Sequence, residues 1–341
     1  TPVLYAAWQP SGAPQALLFR STDQGTSWEP LALPNQATPL AWAGDGANRV
    51  AVSLSTGPVF SSEDRGESWK QVAGELLPVL SLAWDSQGDL YFGTAGHGIY
   101  RQAAGGALEP IAAGQQDLAS KPVSHLALVG GRLFAATPTA LFYTDDGGQS
   151  WAQTQPVAGG ISALAAADAR TLFVGTPGNG ILRSVDAGQT WQPASAGLGQ
   201  AAGLYLSITA LQVDPQEAGV LYAAVSSLVG GTELHSAAMG TFVTLNGGQS
   251  WAQTQPVAGG ISALAAADAR RLFVGTPANG LFRSVDAGQT WQPASAGLGE
   301  AAGVYLSITA LQVDPQEAGV LYAAVSSLVG GTQLHSAAVG S

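Results

Sequence analysis

The sequence of 341 residues has no cysteine, one methionine and only two lysines, Lys70 and Lys121. Without cysteine, disulfides and thiolate metal sites are excluded. Charged residues make up 10% of the chain and the formal net charge is −11, which disfavours binding to nucleic acid or anionic lipid. No apolar run reaches the ~18 residues of a membrane-spanning helix. These absences predict no cofactor, no metal site, no nucleic-acid partner and no membrane insertion; the compartment stays open, with export slightly favoured.

Turn-forming residues are abundant, with 45 glycines and 19 prolines set among short apolar segments. ISALAAADA, TLFVGTP and GILRSV follow one another over residues 161–185, separated by Asp, Gly or Pro. Short apolar runs of this kind are typical of strands that are buried on both faces. The composition therefore predicts an all-β chain of short strands with no long helix.

One eight-residue segment of the form S-x-D-x-G-x-[ST]-W recurs six times, with small variations. Its copies end at Trp28, Trp69, Trp151, Trp191, Trp251 and Trp291, at spacings of 41, 82, 40, 60 and 40 residues. A period of ~40–45 residues is typical of propeller blades. The spacing of 82 contains a decayed copy at 98–110, which keeps only Gly106 of the motif. The spacing of 60 reflects extra length at 194–207 and 228–240, which we interpret as loops outside the strands.

The motif has the residue types of a hairpin turn. Its Ser and Asp side chains can accept hydrogen bonds from backbone N–H groups of the turn, while Gly supplies a positive φ. Its Trp can pack against a neighbouring blade and donate its indole N–H. We therefore predict a structural role for these motif residues: Ser21, Asp23, Gly25, Trp28, Ser62, Asp64, Gly66, Trp69, Thr144, Asp146, Gly148, Trp151, Ser184, Asp186, Gly188, Trp191, Thr244, Asn246, Gly248, Trp251, Ser284, Asp286, Gly288 and Trp291.

With six such motifs the chain resembles the Asp-box, or bacterial neuraminidase repeat, β-propellers over essentially its whole length. VDPQEAGVLYAA, at 213–224 and again at 313–324, is similar to a turn-and-strand segment of those propellers. The resemblance implies one domain over residues 1–341, built as a ring of four-stranded blades. It also implies that the boxes lie on the rim, away from the usual binding face.

Six complete units end near residues 73, 112, 156, 196, 256 and 296. VLYAA at 3–7 matches the second strand of a blade, and SITALQVDP at 307–315 matches a first strand. We therefore predict seven four-stranded blades, the last closed by both ends of the chain, with eight blades as the alternative. A further VLYAA at 320–324 is one strand too many. The two copies are expected to compete for one position, giving a monomer or a strand-exchanged oligomer.

Residues 147–240 and 247–340 are a nearly identical duplication. The two copies differ at eight positions: Thr171/Arg271, Gly178/Ala278, Ile181/Leu281, Leu182/Phe282, Gln200/Glu300, Leu204/Val304, Glu233/Gln333 and Met239/Val339. So few differences indicate a duplication that is either very recent or engineered.

Enzymatic signatures are absent from the sequence, and no catalytic residue is predicted. Sialidases need converging arginines, but Arg20, Arg101, Arg183 and Arg283 occupy one repeated strand position. Glycosidases need two carboxylates within ~5–9.5 Å of each other. The available aspartates belong to boxes or to predicted turns: Asp145, Asp146, Asp186, Asp286, Asp214, Asp314, Asp85 and Asp45.

Candidate ligand-binding residues lie in the predicted loops of one face. His97 falls between a second and a third strand, and His235 and His335 fall in longer copies of that connection. The other candidates are Tyr205, Tyr305 and Trp8. Aromatic and polar groups of this kind are suited to peptide or glycan contacts. The alternative is that they only shield blade edges. His125, within VSHLALV, is interpreted as a packed or edge histidine of a strand.

The chain is similar in size to the photosystem II stability and assembly factor propellers, although it lacks basic patches. Sortilin-type receptors likewise use Asp-box propellers to hold peptides. We therefore predict a non-enzymatic binding scaffold with a protein or peptide ligand at the channel mouth. The alternatives are an exported glycan-binding or glycoside-hydrolase-like protein, and an engineered test of repeat closure with no selected ligand.

Overall fold

The structure of the chain is a computed structural model. It describes residues 4–8, 17–21, 27, 29–34, 39–44, 48–74, 78–112, 114–198, 204–214, 217, 219–229, 235–257, 260–268, 270–296, 298, 304–313 and 321–329. Nearly all regular structure in these ranges is β. The one described helix is α1 (Gln116–Ser120). Among the described residues no helix is long and apolar enough to cross a bilayer.

Three strands come before the first blade: β1 (Leu4–Trp8), β2 (Leu17–Ser21) and β3 (Glu29–Ala32). Blade one comprises β4 (Pro39–Gly44), β5 (Val50–Leu54), β6 (Val59–Ser62) and β7 (Lys70–Ala73); blade two comprises β8 (Val79–Trp84), β9 (Leu90–Thr94), β10 (Ile99–Gln102) and β11 (Leu108–Pro110). Blade three comprises β12 (His125–Val129), β13 (Arg132–Ala136), β14 (Leu141–Thr144) and β15 (Ala152–Gln153).

Blade four comprises β16 (Ala163–Ala166), β17 (Leu172–Gly175), β18 (Ile181–Ser184) and β19 (Gln192–Pro193). Blade five comprises β20 (Leu204–Val213), β21 (Leu221–Val229), β22 (His235–Thr244) and β23 (Ala252–Gln253); blade six comprises β24 (Ala263–Ala266), β25 (Leu272–Gly275), β26 (Leu281–Ser284) and β27 (Gln292–Pro293). Two strands follow, β28 (Val304–Val313) and β29 (Leu321–Val329).

The structure has six four-stranded blades, so the predictions of seven such blades, and of eight, are wrong. The five remaining strands form a single sheet in the order β28-β29-β1-β2-β3, which we call the terminal sheet. β28 contacts β24 of blade six, and β29 contacts β4 of blade one, so the terminal sheet lies between those two blades. The surplus strand is the reason for the difference, because both VLYAA copies are accommodated side by side.

Within the terminal sheet, β1 pairs with β29 in parallel, while the other neighbours are antiparallel. The register aligns Tyr5 with Tyr322, Ala6 with Ala323 and Ala7 with Ala324. The expectation that the two copies compete for one position is therefore wrong, because they lie side by side inside one sheet.

The interpretation of residues 194–207 and 228–240 as loops is wrong in part, because long strands of blade five extend into both segments. β20 begins at Leu204, inside the predicted loop 194–207, and β21 and β22 extend to Val229 and from His235, inside the predicted loop 228–240. β21 and β22 pair in antiparallel register from Leu221–Thr244 to Val229–His235, with a shift between Val225 and Ser226. A hairpin can lengthen when further residue pairs are added to its hydrogen-bond ladder. The glycine-rich composition of the segment does not indicate this extension.

The decayed copy at 98–110 does form a blade, as predicted, because β8–β11 pair as a complete four-stranded sheet. The first strand of each blade contacts the first strand of the next blade, so these strands line the central channel. Outside them, the core lies between blades. One cluster joins Phe173 of blade four to Leu221, Phe242 and Trp251 of blade five.

Antiparallel order divides the connections between two ends of the molecule. Turns from first to second and from third to fourth strands, such as 85–89 and 103–107, lie at the end that we call the box face. Connections from second to third strands, such as 95–98, and from blade to blade, such as 111–124, lie at the opposite end, the non-box face.

Candidate functional site

The Asp boxes fold into the predicted turn. In the fourth box the Ser184 hydroxyl donates to Asp186 Oδ1 at 2.7 Å and accepts from Gly188 N at 2.8 Å. Asp186 accepts from Thr190 N at 2.9 Å and from Thr190 Oγ1 at 2.7 Å. Gly188 has φ +83. The boxes at Ser62, Thr144 and Ser284 repeat these bonds. The carboxylates of these boxes therefore accept hydrogen bonds from groups of their own turns.

The fifth box carries Asn246 and keeps the same turn. Asn246 Oδ1 accepts from Ser250 N at 2.9 Å and from the Thr244 hydroxyl at 2.8 Å. Its Nδ2 donates to Ser250 Oγ at 2.8 Å. Asn at this position thus preserves the acceptor, and with it the turn. Most of the first box, including Asp23, Gly25 and Trp28, lies outside the described residues.

Four box tryptophans hydrogen-bond their own blade to the preceding one. Trp151 and Trp251 are buried and donate their indole N–H to Ile111 O and Ala194 O, both at 2.7 Å. Trp191 and Trp291 make the equivalent bonds to Gln155 O at 3.1 Å and Gln255 O at 2.9 Å. The acceptors follow the fourth strand of the preceding blade, so the boxes hold the ring together.

Four box carboxyls titrate at unusually low pH. Hydrogen bonds from the hydroxyl and backbone N–H of the Ser or Thr four residues later lower the pKa of Asp64, Asp146, Asp186 and Asp286 to about 2. An unfolded aspartate has a pKa of ~3.9. Since the folded pKa is the lower one, the boxes stabilise the fold fully above pH ~4, and this contribution is lost as the pH falls through about 2.

Asp186→Asn is therefore expected to reduce the fall in stability between pH ~4 and ~2, because an amide at this position does not titrate and keeps the Oδ1 acceptor, as Asn246 does. The measurement is the urea midpoint of unfolding across that range. Equal acid sensitivity of Asp186→Asn and wild type would contradict the assignment.

The repeated arginine position is structural, as the sequence predicted. Arg101 on β10, Arg183 on β18 and Arg283 on β26 lie on third strands of different sheets. Arg101 pairs with the buried Asp89, which also accepts from Ala104 N at 3.0 Å. This ion pair and Ala104 bond replace box contacts in the decayed copy. No sialidase-like convergence of arginines occurs among these described strands.

Two turn aspartates also bond to their own backbone. Asp85 Oδ1 accepts from Gln87 N at 2.9 Å and from Asp89 N at 2.8 Å. Asp214 Oδ1 accepts from Glu217 N at 2.9 Å. Both lie in turns between first and second strands, on the box face. Asp45 and Asp314 lie outside the described residues. Among the described residues no group of three His, Asp or Glu side chains could hold a metal ion.

Strand direction brings five of the six predicted ligand-binding residues to the non-box face. His97 is exposed between β9 and β10, while Tyr205 and Tyr305 lie near the beginnings of the first strands β20 and β28. His235 begins β22, and Trp8 ends β1. His335 lies outside the described residues. Tyr205, Tyr305, His235 and Trp8 belong to strands, although the sequence placed them in loops. Their role in binding stays a prediction.

A cavity of ≈370 Å³ opens beside His97. It is formed by Ile99 and Pro110 of the outer strands of blade two, and by Gln115, Gln116 and Ala119 at and around α1. Most of the lining is apolar, and Gln115 is held by a bond from its Nε2 to Trp151 O at 3.1 Å. The cavity thus lies toward the rim of the non-box face. Helix α1 was not predicted, because a segment of five residues is too short to show helical periodicity.

The central channel holds a second cavity of ≈250 Å³ between the first strands. His125 lines it with Thr209, Gln212 and Ser262. Burial lowers the pKa of His125, and its Nδ1 lies 2.9 Å from Ser124 Oγ. Ser262 is already bonded to Ile308 O. His125 is thus a packed strand histidine, as the sequence predicted.

Charge is distributed unevenly between the two faces. In the described parts of the connections at the non-box face, the charged residues are Asp117 and Lys121, which pair with each other at 3.3 Å. The box face carries guanidinium–carboxylate pairs, among them Arg132 with Asp145 at 2.6 Å and Arg271 with Asp268 at 2.6 Å. The described non-box face is therefore nearly free of unpaired charge.

Comparison with known proteins agrees with this architecture. The BNR/Asp-box repeat family matches residues 142–153, the third box. No curated protein matches the chain. The fold is similar to YCF48 from Cyanidioschyzon merolae, at 17% identity over 82% of this chain and 91% of that one, with a TM-score of 0.60.

Two further solved structures share the fold. The computationally designed Ika8 protein is 12% identical over 92% of this chain and 91% of its own, with a TM-score of 0.59. The GH74 xyloglucanase from Xanthomonas campestris is 17% identical over 94% of this chain and 70% of its own, with a TM-score of 0.50. Likeness at these identities concerns the fold, not the activity. With its repeated boxes, the match at the third box and this ring of blades, the chain is a β-propeller that carries Asp-box repeats and is similar in fold to YCF48.

Proposed function

We propose that the chain is a non-enzymatic binding propeller whose non-box face holds an extended polypeptide segment poor in charged residues. The observation that carries the proposal is the charge distribution: the described connections of this face contain one ion pair and otherwise uncharged residues. An uncharged partner can cover such a face without leaving a charge buried and unpaired.

The cavity beside His97 supplies an anchor position for one side chain of the partner on that face. Its apolar lining from Ile99, Pro110 and Ala119 suits an aliphatic or aromatic side chain of the partner. The exposed His97 imidazole and the Gln116 amide can bond to backbone groups of an extended segment. Tyr205, His235, Tyr305 and Trp8 lie on strand ends at the same face and are proposed as further contacts.

A glycosidase is the second candidate, because GH74 enzymes share the fold. The described carboxylates do not favour it. The box aspartates and Asp85 accept hydrogen bonds from their own turns on the box face, away from the proposed surface. Xyloglucan hydrolysis by the full chain would overturn the non-enzymatic assignment.

Ala119→Glu is expected to weaken binding about tenfold or more, because it places an unpaired carboxylate in the cavity. The probe is an array of synthetic peptides without Asp, Glu, Lys or Arg, with affinities of the bound members measured by calorimetry. Val185→Glu is the matched control, since Val185 is exposed on the box face, and it should leave affinity unchanged. Binding to a glycan array in place of peptides, equal losses in both variants, or no binding at all would contradict the proposal.

A further inference from the structure

The terminal sheet is joined from two parts of the chain that are far apart in sequence. Strands β1–β3 come from residues 4–32, whereas β28 and β29 come from residues 304–329. Every pairing inside the four-stranded blades joins strands that are consecutive in the chain. The β1–β29 pairing has no such covalent hairpin, so noncovalent contacts hold the two parts together.

That pairing is short. β1 and β29 match over three residue pairs, from Tyr5–Tyr322 to Ala7–Ala324. In blade five, the equivalent strand β21 pairs with β22 over nine positions, from Leu221 to Val229. A parallel pair is also slightly less stable per residue than an antiparallel one. The β1–β29 junction is therefore weaker than the β21–β22 pairing, which the same kind of strand makes in blade five.

Strands β1 and β29 also have the same sequence where they pair. Both strands contain LYAA, and the parallel register places identical residues opposite each other. Leu4 faces Ser21 of β2, and Leu321, its counterpart, faces Val313 of β28, so each strand keeps its own antiparallel neighbour when the junction opens. Opening therefore separates β1–β3 as a unit, joined to β4 only through residues 33–38.

We propose that the β1–β29 junction opens and that strands β1–β3 exchange between two copies of the chain, so that each terminal sheet is completed by its partner. Every strand pairing of the single chain is re-formed in the dimer, so the exchange costs little free energy. Because two chains combine, the dimer fraction depends on protein concentration. The contact is symmetric, since each copy gives the same strands and receives the same strands. The exchange is independent of the proposed peptide binding.

The absence of native cysteine makes a direct test possible in the full chain. In Ala6→Cys/Ala323→Cys the new side chains lie on neighbouring strands, whose spacing of ~4.7–4.9 Å falls within the range of disulfide-linked residues. Oxidation is expected to give a cross-linked monomer at low protein concentration and a disulfide-linked dimer at high concentration. While dimers are the minor species, a tenfold rise in concentration should raise the dimer-to-monomer ratio about tenfold.

Ala224→Cys/Thr241→Cys is the matched control, since these residues face each other within the covalent hairpin β21–β22 and should link only within one chain. Cross-linked monomer alone at every concentration would overturn the exchange, and so would no cross-link at all. A second measurement uses the unmodified chain: mixing with ¹⁵N-labelled chain should give dimers of mixed mass in native mass spectrometry. Dimers absent at all concentrations would also reject the proposal.

Discussion

Trp251→Ala is expected to lower the free energy of unfolding by ~3–5 kcal/mol. The Trp251 side chain is 5% exposed and packs in the cluster that joins blades four and five. Its indole also donates to Ala194 O at 2.7 Å, so truncation leaves both a cavity and a buried carbonyl without its donor. The measurement is equilibrium unfolding in urea, followed by tryptophan fluorescence and circular dichroism.

Trp291→Ala is the matched control from the next blade. Trp291 occupies the same box position, but it is only half-buried, and its bond to Gln255 O at 2.9 Å is exposed. The expected loss is about 1–2 kcal/mol, because less apolar surface leaves water at this site. Equal losses of unfolding free energy at the two positions would show that residues 194–198, which pack against Trp251, do not bury it in solution.

Gly188→Ala is expected to cost ~2–4 kcal/mol, because two effects combine at this box glycine. The backbone has φ +83, a conformation that alanine adopts at a cost. An added Cβ would also lie 2.5 Å from Thr154 Cγ2 and 2.7 Å from Thr154 Cβ, in the preceding blade. Thr154 is 5% exposed, so the contact cannot be relieved by rotation into solvent. Urea unfolding again provides the measurement.

Gly105→Ala separates the backbone effect from the packing effect. Gly105 has φ +70, but an added Cβ would meet nothing within 4 Å. This variant is expected to lose only the ~1 kcal/mol of the left-handed conformation. If Gly188→Ala were no worse than Gly105→Ala, the close approach of the box to the preceding blade would not contribute to stability.

The box glycines illustrate what sequence reasoning reached and what it missed. The positive φ was predictable, because the turn that requires it lies within the eight residues of the motif. The contact of Gly188 with Thr154 was not predictable, nor was that of Gly148 with Ile111, whose Cδ1 would lie 2.6 Å from an added Cβ, since the partner residues belong to another blade. The same distinction applies to the tryptophans: a hydrogen-bond acceptor was expected, but not its identity.

The candidate site was predictable only in outline. The sequence placed His97 correctly in a connection between a second and a third strand, and it predicted that the aromatic candidates share a face. It did not predict α1, nor the cavity that α1 forms with Ile99 and Pro110. Helix α1 could not be predicted, because five residues carry too little periodicity to identify a helix. Only the structure shows that the connection between blades two and three is helical.

The sequence by itself determined the blades: the boxes bond through contacts between residues two to four apart, and successive strands join through short turns. Such local interactions depend only on neighbouring residues, so a linear pattern suffices to predict them. The tertiary structure decided how residues 4–32 meet 304–329, how far blade five extends and which face lacks charge. The meeting of residues 4–32 with 304–329 depends on distant segments, where two identical strands can satisfy one pattern in more than one way. Blade five is extended by its own hairpin ladder, which the sequence pattern did not indicate.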